Sequence, residues 1–136
     1  MKKKTITALV ERSKDGGYSV YYNELLPMCV HGEGDTAADA IEDFRSSWEA
    51  FAEELSQEQR AQIDKIEVRF AYDVASLLSY YARFVSLTAI SELTGINRAQ
   101  LSHYATGHRK PTETTAKRIE EAFHRLGEEL GRVALT

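Results

Sequence analysis

The change of hydrophobic period at Asp73 constrains this chain more than any other feature. From Lys65 to Tyr72 the alternation is strict, with Ile66, Val68, Phe70 and Tyr72 on one side and Glu67, Arg69 and Ala71 on the other. That is the two-residue period of a half-buried strand. Beyond Asp73, Val74, Leu77, Leu78 and Tyr81 recur at three- and four-residue steps, which a helix gathers on one face. No strand pattern returns before Val133 to Leu135. The 136 residues therefore divide into two small units, 1–72 and 73–136. The expected fold class is α+β, a sheet unit followed by an all-α bundle.

Within the first unit, Thr5 to Glu11 places Ile6, Ala8 and Val10 on one face, and Tyr18 to Tyr22 does the same with Tyr18, Val20 and Tyr22. Lys14-Asp15-Gly16-Gly17 between them supplies the residues a hairpin turn needs. Met28-Cys29-Val30-His31, closed by Gly32 and Gly34, predicts a third, shorter strand. Thr36-Ala37-Ala38-Asp39 has the form of a capping box opening a helix that runs to about Leu55. Its apolar stripe is Ala37, Ala40, Ile41, Phe44, Trp48, Phe51 and Leu55, and its other face carries Glu42, Asp43, Glu49 and Glu53. The stripe must pack on something flat, so the pattern predicts an antiparallel sheet of three to four strands covered by one helix.

Charge is divided unevenly. Residues 1–60 hold 7 Lys/Arg against 12 Asp/Glu, net −5, whereas residues 83–118 hold 6 against 2, net +4. An acidic half thus precedes a basic one, and the overall charge of −4 conceals a surface suited to polyanions. The basic start Met1-Lys2-Lys3-Lys4 leads into no apolar signal segment, and no run approaches the roughly 18 apolar residues of a membrane span. A cytoplasmic protein without membrane contact is expected. The single cysteine, Cys29, excludes an intrachain disulfide, and the four histidines do not accompany it at zinc-site spacings. No metal ion or cofactor is expected.

In the second unit, Thr88 to Thr94 reads as a short helix ended by Gly95. Asn97 then caps another, from Arg98 to Tyr104. Gly95 stands where the chain must turn sharply between two helices. Leu87, Ile90, Leu93, Ile96, Leu101 and Tyr104 can share one small core, which leaves a free side on the second helix bearing Arg98, Ala99, Gln100, Ser102 and His103. These groups can donate to or accept from base edges in the major groove of DNA. The loop Thr106-Gly107-His108-Arg109-Lys110-Pro111 adds cations suited to flanking phosphates. Thr112 then caps a long helix through Ile119, Ala122, Phe123 and Leu126, which closes the bundle.

Ser86-Leu87-Thr88, the run from Leu93 to Arg98, Leu101-Ser102 and Gly107 to Thr112 resemble the Cro/C1 (xenobiotic-response-element) repressor family. The resemblance implies that Asn97, Arg98, Gln100, Ser102 and His103 face bases. By the same resemblance Thr88, Thr106, His108, Arg109 and Lys110 lie along the DNA backbone. Ser91 stands where that family usually buries an alanine. Ala105 stands where many members carry a glutamate paired with an arginine of the first helix.

The first unit has its own resemblance. Asp15 to Val20, Leu26 to Val30 and Gly34 to Ile41, in the order strand, strand, short strand, helix, strand, resemble the HicB antitoxin domain, a reduced ribonuclease-H-like fold. A HicB-like domain ahead of a helix-turn-helix is the architecture of that antitoxin family. It implies a small basic HicA-like, mRNA-cleaving toxin as partner, bound by residues the sequence does not single out, and repression of the shared operon at operator DNA. A homodimer is expected, with a tetramer as the alternative, because operators are usually two-fold symmetric. Arg132 to Leu135 could then add a small strand at the subunit contact.

Catalysis is not expected. Along the first two strands the carboxylates are Glu11 at an end, Asp15 in the hairpin and Glu24 beyond the strand, whereas a two-metal site needs several converging mid-strand. Cys29 and His31 share a face but are read as packing rather than as nucleophile and base. The alternative function is a stand-alone regulator whose first unit senses a small molecule in a pocket beneath Trp48 and Phe51.

Overall fold

The computed structural model describes residues 3–136. The Met1–Lys2 end of the basic start lies outside the described residues. β1 (Lys4–Arg12) and β2 (Tyr18–Tyr21) form an antiparallel hairpin with Leu9 opposite Tyr21 and Arg12 opposite Tyr18. Ser13 donates its N–H to the Gly17 carbonyl at 2.7 Å, and the Asp15 carboxylate accepts from the Gly17 N–H at 3.1 Å. Ile6, Ala8, Val10, Tyr18 and Val20 are all buried, as the period-two pattern requires.

The third strand falls later than its apolar residues suggest. β3 (Gly32–Gly34) pairs with β2, while Met28 and Val30 are buried from an irregular segment. The Tyr22 hydroxyl replaces a strand neighbour for that segment, donating to the Met28 carbonyl at 2.6 Å and accepting from the Val30 N–H at 3.1 Å. Cys29 and His31 alternate with these two and are exposed, so they do not pack as expected. The glycines make β3 possible by leaving no side chain in the way. A Cβ on Gly34 would lie 2.6 Å from the Ala40 nitrogen of α1 (Ala37–Glu53).

α1 opens at Thr36, whose hydroxyl accepts from the Asp39 N–H at 3.0 Å. It ends two residues before the expected Leu55. Phe44, Trp48 and Ala52 form the row that meets the sheet, so Ala52 is buried and Phe51 is 46% exposed, contrary to the expected stripe. Tyr22, Phe44, Trp48 and Phe70 pack around one another with ring centroids 5.9–6.1 Å apart. A second helix, α2 (Gln57–Asp64), follows under a complete Ser56–Gln59 capping box. β4 (Ile66–Tyr72) then joins the sheet beside β1, giving the order β3-β2-β1-β4.

β4 runs parallel to β1, in a register from Lys4–Ile66 to Val10–Tyr72, so the sheet is mixed and not antiparallel throughout. The cause is the crossover. α1 and α2 carry the chain back to the end of the sheet where β1 started, and a strand entered there runs with β1. α1 supplies the covering layer, and α2 adds only Ile63 to the core.

Asp73 marks the passage to the helices and binds in both directions. One carboxylate oxygen accepts from the Ser76 N–H at 2.8 Å, capping α3 (Val74–Tyr81), and the other accepts from the Arg12 N–H of β1 at 3.0 Å. α3 gives Leu78 to the helical core and packs Tyr80 against the sheet core. The remaining elements are α4 (Leu87–Thr94), α5 (Arg98–Ala105) and α6 (Glu113–Gly131). Leu78, Ile90, Ile96, Leu101, Tyr104 and Ile119 form their core. Leu93 is outside it at 37% exposure, because the row that faces inward on α4 is Ile90 and Thr94. Residues 133–136 are not a strand, and Val133 and Leu135 are exposed.

Candidate nucleic-acid interface

The turn between α4 and α5 is built from hydroxyls as well as from glycine. Gly95 terminates α4 at φ 76, a left-handed conformation that a Cβ makes costly. The Ser91 hydroxyl donates to the Ile96 carbonyl. The Thr94 hydroxyl donates to the Ile90 carbonyl at 2.7 Å and accepts from the Ile96 N–H at 3.1 Å. Ser91, at the family's usual alanine position, thus braces the turn. With Ile96, Leu101 and Tyr104 buried, α5 is held by one side only.

Its other side is open. Arg98, Ala99, Gln100, Ser102 and His103 are all exposed, which leaves one helical face for a groove about the width of a helix. Not every polar group on it is free. The Asn97 carboxamide oxygen caps α5 by accepting from the Ala99 N–H at 2.7 Å, and its NH2 group has no hydrogen-bond partner among the described residues. The Gln100 side-chain nitrogen donates to the Tyr104 hydroxyl. Its carbonyl oxygen is not engaged in that bond. Arg98 has no hydrogen-bonding or ionic partner among the described residues, and so keeps the full donor fork of its guanidinium.

The loop after α5 folds back on the helix. The Arg109 N–H donates to the His103 carbonyl at 3.2 Å, and the His103 and His108 rings lie 5.0 Å apart. This brings the exposed His108, Arg109 and Lys110 beside the end of the open face. The Thr106 hydroxyl donates to the Ser102 carbonyl at 3.1 Å, with the His103 carbonyl also within reach at 3.3 Å. Thr88 is exposed in the first turn of α4, behind the Ser86 cap.

Two features of the site escaped the sequence. The pairing expected for a glutamate at position 105 has no counterpart on either side, since α3 contains no arginine. Instead the Ala105 carbonyl accepts from Arg12 of β1 at 3.3 Å. A bond between residues so distant in the chain leaves no periodic signal. The second is the pair of hydroxyl braces at Ser91 and Thr94, which a search for apolar spacing passes over.

Among the described residues no group of three or more His, Cys, Asp or Glu is placed to hold a metal ion, and no helix is long and apolar enough to cross a membrane. No curated protein and no solved structure matches the chain. A helix-turn-helix family model matches residues 85–130, from just before α4 almost to the end of α6. The Gly95 turn and the open polar face of α5 lie within that match: residues 85–130 are a DNA-binding helix-turn-helix of the kind carried by transcription regulators.

Proposed function

We propose that this chain is the antitoxin and autorepressor of a HicAB-type pair, acting in the cytoplasm as a homodimer. In this reading α5 reads operator DNA through Asn97, Arg98, Gln100, Ser102 and His103, while Thr88, Thr106, His108, Arg109 and Lys110 lie along the backbone. The β1–β4 unit with α1 binds and blocks a small basic, mRNA-cleaving toxin. The observation that carries the reading is the joining of a helix-turn-helix, whose reading helix and following loop carry Arg98, Arg109 and Lys110 and no carboxylate, to an acidic sheet unit. A basic partner suits the acidic α1 face. Glu42, Glu49 and Glu53 are exposed there, whereas the Asp43 carboxylate accepts from the Glu33 N–H at 2.9 Å and holds β3 to α1.

Co-expression with an adjacent reading frame for a small basic protein tests this directly. Growth rescue and co-purification are expected. A toxic neighbour that this chain neither rescues nor binds sinks the antitoxin reading and leaves DNA binding untouched.

The alternative, a stand-alone ligand-sensing regulator, is favoured by a different observation from the expected one. The hollow beside Trp48 is only about 250 Å³ and Phe51 does not line it. A larger cavity of about 930 Å³ lies where β4, α3 and α6 meet, lined by Tyr72, Leu77, Tyr81, Phe84, Phe123 and Leu126 among others. That volume falls in the range of small-molecule sites. A regulator of this kind shows operator release by a metabolite extract and no toxic neighbour.

A further inference from the structure

Arg12 closes β1, in the sheet unit, yet its side chain is spent on the helix-turn-helix. Its Nη1 donates to the Ala105 carbonyl at 3.3 Å and to the Tyr18 hydroxyl at 3.4 Å, with the guanidinium carbon 5.7 Å from the Tyr18 ring centroid. Its backbone N–H is tied to Asp73. A Cβ on Gly107, which has φ 76, would lie 3.2 Å from the Arg12 Cδ, so the glycine also makes room for the arginine stem.

We propose that Arg12 is a positioning residue for DNA recognition, a cationic clamp that the N-terminal sheet places on the C-terminal end of the reading helix. The inference rests on the DNA-reading role of α5. The last carbonyls of a helix carry partial negative charge and favour a cation. The only basic residue in the last turn of α5 is His103, which faces the open side. Arg12 supplies the missing charge from a rigid strand, itself held by β2 and by Asp73. α5 is a helix of eight residues held on one side by Leu101 and Tyr104, and base-edge contacts fail when it is displaced by about 1 Å. The clamp also bears on Gly107, where the chain leaves α5 for Arg109 and Lys110. Partner binding on the sheet unit therefore has a direct mechanical route to the DNA-reading surface.

The test uses the full chain and a duplex enriched from a randomised library by the wild type, with a scrambled duplex as reference. Arg12→Ala is expected to weaken binding to the enriched duplex by roughly three- to tenfold. The enriched-to-scrambled ratio should fall with it, while the salt dependence keeps its slope because no phosphate contact is lost. Arg12→Lys should recover part of the ratio. Amide exchange at Gly107 and Arg109 should quicken in Arg12→Ala, with the β1–β2 amides unchanged. If Arg12→Ala does not fold, Arg12→Gln, which keeps most of the stem, carries the same comparison.

A slope reduced by about one with the ratio preserved would make Arg12 a phosphate ligand and overturn the inference. An unchanged ratio with unchanged exchange overturns it as well. Failure of the wild type to enrich any sequence is a separate outcome, which removes the DNA-reading role and this inference together.

Discussion

Arg98 and Lys110 are both exposed cations of the helix-turn-helix, but they differ in what they can report. Arg98 opens α5 with its donor fork unspent, and a guanidinium pairing two acceptors of a guanine distinguishes that base. Arg98→Ala should therefore cost about 1 to 3 kcal/mol on the enriched duplex and little on a scrambled one, measured by fluorescence anisotropy. Lys110, in the loop, is a point charge. Lys110→Ala should weaken both duplexes alike and reduce the salt slope by about 0.9. Equal effects of the two substitutions would show these roles to be wrong. Side-chain identities on this face were plain from the residues alone. The cap made by Asn97 was equally legible and is in place, whereas the bond from Gln100 to Tyr104 depends on rotamers that no spacing rule specifies.

Tyr72 supplies a further prediction at the same scale. It is half-buried, and that burial, reinforced by the neighbouring Tyr81 and Tyr80 and opposed by Arg45, pushes its hydroxyl up to about 12. The unfolded chain loses this proton near its ordinary value of 10. Unfolding is thus favoured as pH rises through the interval between the two values, and the stabilisation present below pH about 10 is lost by about 12. Thermal melts should show a steep loss in that window, and Tyr72→Phe should flatten it. A loss of the same steepness in Tyr72→Phe would place the alkaline sensitivity elsewhere.

At the scale of elements, α1 separates what a stripe predicts from what packing decides. The three- and four-residue spacing found the helix and most of its buried face, but a stripe leaves the choice between neighbouring rows to the far end of the helix. The core of the sheet unit takes in Phe44, Trp48 and Ala52 and leaves Phe51 exposed. Phe44→Ala should cost about 3 to 5 kcal/mol in urea unfolding, and Phe51→Ser should stay within about 0.5 kcal/mol. Comparable losses from both would contradict this placement.

Other elements show where periodicity stops. Alternation in β4 identifies a buried face and carries no information on direction, which came from the helical crossover ahead of it. α2 has almost no apolar stripe to detect, and only its Ser56–Gln59 cap was there to be read. β3 consists of two glycines and a glutamate, a composition that ordinarily argues against a strand. It pairs because α1 lies too close for any side chain.

At the scale of the whole molecule, the proposed dimer needs a surface that one copy leaves uncovered. Among the described residues the large apolar side chains that stand exposed are Leu25, Phe51, Phe84, Leu93, Leu130, Val133 and Leu135. Phe84 and Leu130 line the same hollow between β4, α3 and α6, and Val133 and Leu135 follow Leu130 in the chain. The rim of the hollow carries Lys117 and Arg69 as well as Glu113 and Glu120. A face bearing both signs can meet its own copy across a two-fold axis, as an isologous contact requires. A single eight-residue reading helix also gains affinity when a second is held at a fixed spacing of about 34 Å along the duplex. Leu130→Glu should therefore shift sedimentation at micromolar concentration from dimer toward monomer. It should weaken binding to a two-half-site duplex far more than to a single half-site, without lowering the melting temperature of the monomer. A variant that stays dimeric would move the subunit contact off α6, and a wild type that sediments as a monomer both free and on DNA would end the dimer proposal. None of Tyr18, Ala105 and Gly107, which the Arg12 side chain meets, lines this hollow. The clamp on the reading helix and the pairing of subunits should accordingly be separable, with Arg12→Ala altering base discrimination in a chain that remains dimeric.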